Sequence, residues 1–356
     1  MKILFINLTQ GLVDRGLERV VDLYGLALAN KHDVTVMQAG PVLPDKKYTT
    51  LRTHKLDIPP QAAPVNIFEK LLFRLECDPT SLSTREFTKA SLPAIKKINP
   101  DVVIACNGAP QIKILKRELP TQKIVAFGAA GLGHHDIKTL LSAPDLFIAM
   151  TDYQAAWAKF YARKQTTRVV VIPNPVVITK SSTKIDLKLP GPIVLTVGAL
   201  TRYKNITKTA EALSTLSATH IIIGDGEESD KLQDILSKRM YDFRWIKHVS
   251  PVELPAYYKY SDVFCFTPDP REAFGNVYIE AMVAGLPIVA TDDPVRREII
   301  GSAGYFVNPN DRVSVVSATI KAAEGGRVDY SVLLKRYNIK VVSNLLENSL
   351  NELIKK

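Results

Sequence analysis

The sequence predicts an α/β protein of two Rossmann-like, doubly wound domains facing an interdomain cleft. Three observations predict it. The chain has 356 residues, 46% of them hydrophobic, and a prior of about 100–200 residues per domain gives two domains. Short apolar runs alternate with stretches of helical spacing, the rhythm of parallel sheets covered on both faces. That rhythm breaks between Pro173 and Pro192, where Pro173, Asn174, Pro175, Pro190, Gly191 and Pro192 gather.

In chain order, Lys2–Asn7 is a short apolar strand, followed by a loop with Gly11 and Gly16. Glu18 to Asn30 carries Val20, Val21, Leu23, Leu26 and Ala27 at helical spacing, and Asp33–Met37 is the next strand. Buried-type strands recur at Asp101–Cys106, Lys123–Phe127, Leu146–Met150 and Arg168–Ile172. Ile67, Phe68, Leu71, Leu72 and Leu75 mark an amphipathic helix that also carries Lys70 and Arg74. After the break, Ile193–Val197 is a strand, then a basic loop, a helix from Ile206 to Leu216, the strand His220–Ile223, the turn Gly224-Asp225-Gly226 and a helix through Leu236. Asp262–Thr267, Pro287–Thr291 and Tyr305–Val307 complete a second sheet. The predicted domains are 1–175, a linker at 176–187, and 188–330, with a tail helix at 335–356 returning to the first. Open α/β sheets bind ligands beyond the carboxyl ends of their strands, so the expected site lies between the two halves.

Composition narrows the function. The net charge is +10 and the pI about 9.3, which favours phosphates or anionic lipid. The charge is spread, and no aromatic–basic motif supports nucleic-acid binding. Cys77, Cys106 and Cys265 show no paired spacing, which argues against a disulfide framework. The six His show no ligand cluster and Asp292-Asp293 is adjacent, with diverging side chains, so no metal or other cofactor is expected. The apolar N-terminal run is too short for a secretory segment, and no run reaches the roughly 18 residues that span a bilayer. A cytoplasmic protein is expected, free or at the inner face of the membrane.

The chemistry concentrates between Asp262 and Thr291. The strand Val263–Thr267 leads through Glu272 to Phe274, Gly275 and Asn276, and a helix follows from about Val277 to Ala284. Backbone amides at a helix start favour an anion such as phosphate, and Gly275 permits close approach. Glu272 precedes this helix start and Glu280 is placed about two turns in. Taken alone, the pair is a weak signal and reads as a cap and a solvated helix residue.

The run Glu-Ala-Phe-Gly-Asn-Val-Tyr-Ile-Glu-Ala-Met-Val-Ala-Gly-Leu-Pro-Ile-Val-Ala-Thr (272–291) closely resembles the signature of family-4 retaining glycosyltransferases, the glycosyl transferases group 1. Val171 to Val176 resembles the family's domain junction, and Val197-Gly198-Ala199-Leu200 with Lys204 resembles its phosphate loop. Gly224-Asp225-Gly226 and Asn308 to Asp311 match further stretches, and Gly16-Leu17-Glu18-Arg19 is similar to its first glycine loop. The resemblance implies the GT-B fold and a hexosyltransferase that keeps the anomeric configuration of a nucleotide-activated sugar. It implies that Glu280 holds the ribose, that Glu272 contacts the transferred sugar, and that the amides of Phe274, Gly275 and Asn276 hold sugar and diphosphate. Lys204 would meet the diphosphate, and Gly198 and Gly16 would let their loops approach the phosphates. The implied partners are a nucleotide-sugar donor and a glycan, lipid-linked or small-molecule hydroxyl acceptor, in keeping with cell-envelope glycan synthesis.

Two departures stand out. The family has Arg after the phosphate-loop glycine, where this chain has Ala199; Arg202 is expected to supply the guanidinium, the alternative being a solvent-facing loop residue. The family places a His after a mid-domain strand; here Gly128 to Gly133 form a glycine-rich loop, and His134 and His135 come later as candidate sugar or acceptor contacts or as solvated loop residues. The helix Ile67–Leu75 reads either as packed on its own domain or as a peripheral membrane contact. The rival functions are a sugar-nucleotide 2-epimerase of the same architecture and a nucleotide-sugar-binding subunit without turnover.

Overall fold

A computed structural model describes residues 1–13, 16–42, 46–53, 67–163, 165–176, 185, 188–238 and 242–355. The chain forms two compact units, Met1–Pro175 with Ile339–Lys356, and Val176–Asn338. Most of the predicted linker, from 177 onward, lies outside the described residues.

In the first unit the elements are β1 (Lys2–Ile6), α1 (Gly16–Leu28), β2 (Asp33–Gln38), β3 (Thr49–Arg52), α2 (Ile67–Leu75), α3 (Pro79–Ile98), β4 (Val102–Ala105), α4 (Ala109–Glu118), β5 (Lys123–Phe127), α5 (His134–Leu141), β6 (Leu146–Ala149), α6 (Asp152–Ala162) and β7 (Arg168–Val171). The second unit has β8 (Ile193–Val197), a 3₁₀ turn at Arg202–Lys204, α7 (Ile206–Ala212), β9 (Thr219–Ile223), α8 (Ser229–Ser237), β10 (Phe243–Ile246), α9 (Leu254–Tyr260), β11 (Val263–Phe266), α10 (Asn276–Val283), β12 (Ile288–Thr291), α11 (Pro294–Ile300), β13 (Gly304–Val307), α12 (Arg312–Gly325) and α13 (Ser331–Leu334). The last helix, α14 (Ile339–Ile354), belongs to the first unit.

Among the described residues the first sheet runs β3-β2-β1-β4-β5-β6-β7 and the second β10-β9-β8-β11-β12-β13. Every pairing is parallel, as between β1 and β2 and between β8 and β11. Strand order reverses between β1 and β4 in one sheet and between β8 and β11 in the other. Alternate residues of β1 explain the layering. Ile3 and Phe5 join Val20, Tyr24, Leu346 and Leu350 on one face. Leu4 and Ile6 join Phe87, Ile112 and Leu115 on the other. The tail helix α14 buries Val342, Leu346, Leu350 and Leu353, spaced so that one stripe meets α1. Each such leucine contributes about 1.5–3 kcal/mol of burial. Glu347 on the same helix pairs with Lys31 at 3.0 Å and His32 at 3.1 Å.

Candidate functional site

In the second unit the sheet places two loops side by side, because β8 and β11 are neighbours whose carboxyl ends open at the reversal of strand order. The loop after β8 begins at Gly198 and reaches the Arg202–Lys204 turn. Leu200 donates its N–H to the carbonyl of Asp225 at 2.9 Å, and Glu228 donates to that of Leu200 at 2.9 Å. The turn after β9 therefore folds onto this loop. A Cβ on Gly224 would stand 1.9 Å from the carbonyl oxygen of Gly198, so only glycine fits there.

The loop after β11 carries Glu272. Its backbone is tied to the first loop by the N–H of Asp269, which donates to the Tyr203 carbonyl at 2.7 Å. The Glu272 side chain is buried, and its Oε2 lies 3.4 Å from Lys204 Nζ. That ion pair is the contact of Oε2, which has no hydrogen-bond partner. Three residues on, Gly275 stands immediately before α10 with φ +82°, and a Cβ there would meet the Tyr278 ring at 2.7 Å. No side chain caps this helix start. Its first N–H groups are the kind that satisfy themselves on a ligand oxygen. Phe274 is buried with its ring 5.9 Å from that of Tyr337, so it anchors the loop while its backbone stays with the helix start. Glu280 is the fifth residue of α10, little more than one turn in rather than two, because the segment from Glu272 to Gly275 is not helical. Tyr258, itself buried, donates its hydroxyl to Glu280 Oε2 at 2.8 Å.

The structure thus gathers Gly198, Lys204, Glu272, Phe274, Gly275 and Asn276 at one end of this sheet, with Glu280 one turn along α10. Arg202 is exposed in the same turn as Lys204, and its backbone N–H donates to Glu227 Oε1 at 3.1 Å. Arg296 was not anticipated from the sequence. It is completely buried on α11 and donates Nη2 to the Glu272 carbonyl at 2.6 Å. The available signal was Asp293 three residues before it, which caps α11 by accepting from the Arg296 N–H at 3.0 Å.

The remaining predicted residues belong to the first unit. Gly16 is the first residue of α1 rather than part of a preceding loop. Two residues on, Glu18 is buried and accepts from Thr9 Oγ1. His134 and His135 open α5, which corrects the expectation of a loop running through them; Gly133 caps the helix without a side chain. The His135 ring meets Phe73 of α2 edge-on at 4.4 Å. Partial desolvation keeps both imidazoles below their ordinary pKa. Behind them Asp136 is buried, and desolvation raises its pKa to about 8 although Gln154 Nε2 donates to it at 3.2 Å. At Gly128, where a side chain was expected in the family, a Cβ would lie 2.6 Å from Gln154 Nε2 and 2.7 Å from the Phe147 ring.

Among the described residues, no group of three or more His, Cys, Asp or Glu is placed to hold a metal ion. No helix there is long and apolar enough to cross a membrane.

Known proteins resemble this chain in both sequence and fold. Spore coat protein SA of Bacillus subtilis is 23% identical over 269 residues, 65% of this chain and 71% of its own length. The phosphatidyl-myo-inositol mannosyltransferase of Mycolicibacterium smegmatis is 32% identical over 131 residues, covering 35% of this chain and 34% of its own. The alpha-monoglucosyldiacylglycerol synthase of Acholeplasma laidlawii is 30% identical over 140 residues, 36% of this chain and 35% of its own. Among solved structures, Anabaena Alr3699/HepE in complex with UDP-glucose superimposes with a TM-score of 0.70 at 16% identity, covering 99% of this chain and 100% of that one. Trehalose-6-phosphate synthase OtsA does so with a TM-score of 0.74 at 14% identity, covering 99% of each chain. These structures share its two-domain α/β architecture, the GT-B fold, and residues 177–337, which hold every feature of the second unit's site, match the family described as Glycosyl transferases group 1.

Proposed function

We propose that this chain is a retaining glycosyltransferase that moves a hexosyl group from a nucleotide sugar to a hydroxyl acceptor. The observation that carries the reading is the Lys204–Glu272 pair at the uncapped start of α10, beside the loop that opens at Gly198. One cation and a row of backbone N–H groups suit a diphosphate. A carboxylate held against that cation suits the sugar attached to it.

In this reading the bond between C1 of the sugar and the diphosphate oxygen breaks, and the acceptor oxygen bonds to C1 on the same face. The acceptor proton passes to the departing phosphate oxygen, giving a glycoside and a nucleoside diphosphate. Charge grows on the leaving group as the bond breaks. Lys204, the amides of Phe274, Gly275 and Asn276, and Arg202 would stabilise it without a metal. Glu280, oriented by Tyr258, would accept from the ribose hydroxyls. Gly16 would let the first loop near the phosphates, and His134 or His135 would contact sugar or acceptor. The second unit takes the donor and the first the acceptor.

For the acceptor we propose a lipid-linked or glycan hydroxyl at the cytoplasmic face of a membrane. Two relatives carry lipids in their names, the phosphatidyl-myo-inositol mannosyltransferase and the alpha-monoglucosyldiacylglycerol synthase. In addition, α2 leaves Ile67 86% and Phe68 67% exposed, as an interfacial helix does.

The test is a thermal-shift screen of nucleotide sugars, then an acceptor panel with the anomeric configuration of the product read by NMR. Transfer with retention supports the proposal. A changed sugar without acceptor would mean an epimerase, donor binding without any turnover a binding subunit, and either result would overturn it.

A further inference from the structure

We propose that Arg296 is a positioning residue that sets the direction of the Glu272 carboxylate; this rests on the transferase reading above. The guanidinium is 0% exposed. Its nominal counter-ion is Asp293, yet the contacts between them are long: Nε to Oδ2 is 3.4 Å and Nη1 to Oδ1 is 3.5 Å. Neither Arg296 Nε nor Asp293 Oδ2 makes a hydrogen bond. The short bond of the guanidinium goes to the main-chain carbonyl of Glu272, at 2.6 Å, and the same Nη2 reaches the carbonyl of Asp269 at 3.5 Å.

That distribution argues against a role in stability alone. A buried ion pair is a poor way to stabilise a fold, since apolar side chains of similar volume often do as well or better. A pair kept for its own attraction would close to hydrogen-bonding distance. Here the cation is aimed at the backbone of the loop after β11. The carbonyl of Glu272 fixes the peptide plane that follows its Cα, and with it the direction of the side chain that meets Lys204 at 3.4 Å. Only a planar fork reaches two carbonyls and a carboxylate together, which a lysine ammonium does not. Asp293 completes the arrangement by capping α11 through the Arg296 N–H, so the helix and the loop are locked to one another. The exposed neighbour Arg297 pairs instead with Asp292 at 2.6 Å and takes no part.

The test uses the full chain and two variants, Arg296→Lys and the double variant Arg296→Met/Asp293→Asn. The double variant removes both buried charges and keeps an asparagine cap on α11, which keeps the fold accessible. Nucleoside diphosphate release is measured from UDP-glucose, UDP-N-acetylglucosamine and GDP-mannose, and the Kd of UDP and GDP by calorimetry. A displaced reacting group costs on the order of 100-fold in rate, so kcat is expected to fall by about that factor in both variants. The Kd of the nucleoside diphosphate should stay within about 3-fold, because neither the α10 amides nor Lys204 is altered. A fall in kcat of less than about 10-fold, or a Kd that weakens in step with kcat, overturns the assignment. A wild-type chain that binds neither nucleotide and releases nothing overturns the transferase reading instead.

Discussion

Lys204 Nζ and Glu272 Oε2 stand 3.4 Å apart, bridging the loops that follow β8 and β11. The two side chains are 19% and 10% exposed, so the pair sits where solvent screens it little. Lys204 Nζ also lies 5.8 Å from the ring centroids of Tyr203 and of Phe266, which confine it. A cation held this way is ready for a second anion.

The first prediction concerns that cation. Lys204→Met should lower kcat by about 10²–10³-fold, the usual cost of losing one preorganised donor to a developing charge. UDP or GDP should bind more weakly, while the bare nucleoside should bind as before. Calorimetry with the diphosphate and the nucleoside separates the two. Equal weakening of both would show that Lys204 shapes the pocket rather than meeting the phosphates.

The start of α10 makes a second prediction. Gly275 has φ +82°, and an added Cβ would stand 2.7 Å from the Tyr278 ring. The left-handed conformation alone costs a non-glycine residue about 1–2 kcal/mol. Tyr278 cannot yield easily, since its hydroxyl donates to the Phe266 carbonyl at 2.8 Å in the buried interior. Gly275→Ala should therefore lower stability by roughly 2 kcal/mol in urea titration, and it should weaken donor binding as the helix start shifts. A variant with unchanged stability would mean that the loop has another conformation within easy reach.

Much of this site was legible in the sequence. The strand Val263–Phe266 and the Gly285-Leu286-Pro287 exit bracket α10, so the placement of Glu272 and Gly275 followed from apolar runs and punctuation. Arg296 was not legible. It sits in Val295-Arg296-Arg297-Glu298, where neighbouring arginines look alike. Only packing distinguishes Arg296, with no exposure, from Arg297, whose side chain is 56% exposed. The start of α5 was hidden for a different reason. Gly133 offers no capping side chain, so the glycine run shows no helix signal before His134. The edge strands β3 and β10 carry mixed polar and apolar residues, Thr-Thr-Leu-Arg and Phe-Arg-Trp-Ile, and lack the continuous apolar run of a central strand.

Asp136 makes a third prediction, about pH. Desolvation raises its pKa from 3.8 to about 8 in the folded chain. Between these values the folded state holds a proton that the unfolded state has released. The unfolded state therefore binds fewer protons, and stability falls as pH rises through this window. Above about 8 both states are ionised and the dependence from this group ends. Asp136→Asn should flatten the slope, and its stability relative to wild type should be better at pH 8 than at pH 5. Urea midpoints at the two pH values check it. A variant with the wild-type slope would place the titration elsewhere.

The last prediction concerns α2. Ile67, Phe68, Leu71 and Leu75 are 86%, 67%, 49% and 59% exposed, and recur on one face of the helix. The C-terminal end of α2 is fastened to its own unit. Lys138 Nζ donates to the carbonyl of Phe73 at 3.4 Å, and Glu76, just after the helix, accepts from Lys113 at 2.7 Å. A helix fixed at one end with its apolar face open suits insertion at a lipid interface, where each buried large side chain contributes about 1.5–3 kcal/mol. Phe68→Ser/Leu71→Ser should lower partitioning into vesicles containing anionic lipid by at least about tenfold. The melting temperature should stay unchanged, because neither side chain is buried in the protein. Raising the salt should weaken the wild type only in part, removing the attraction of the +10 chain and leaving the apolar contribution. Equal binding of variant and wild type would show that the exposed face of α2 does not meet the membrane.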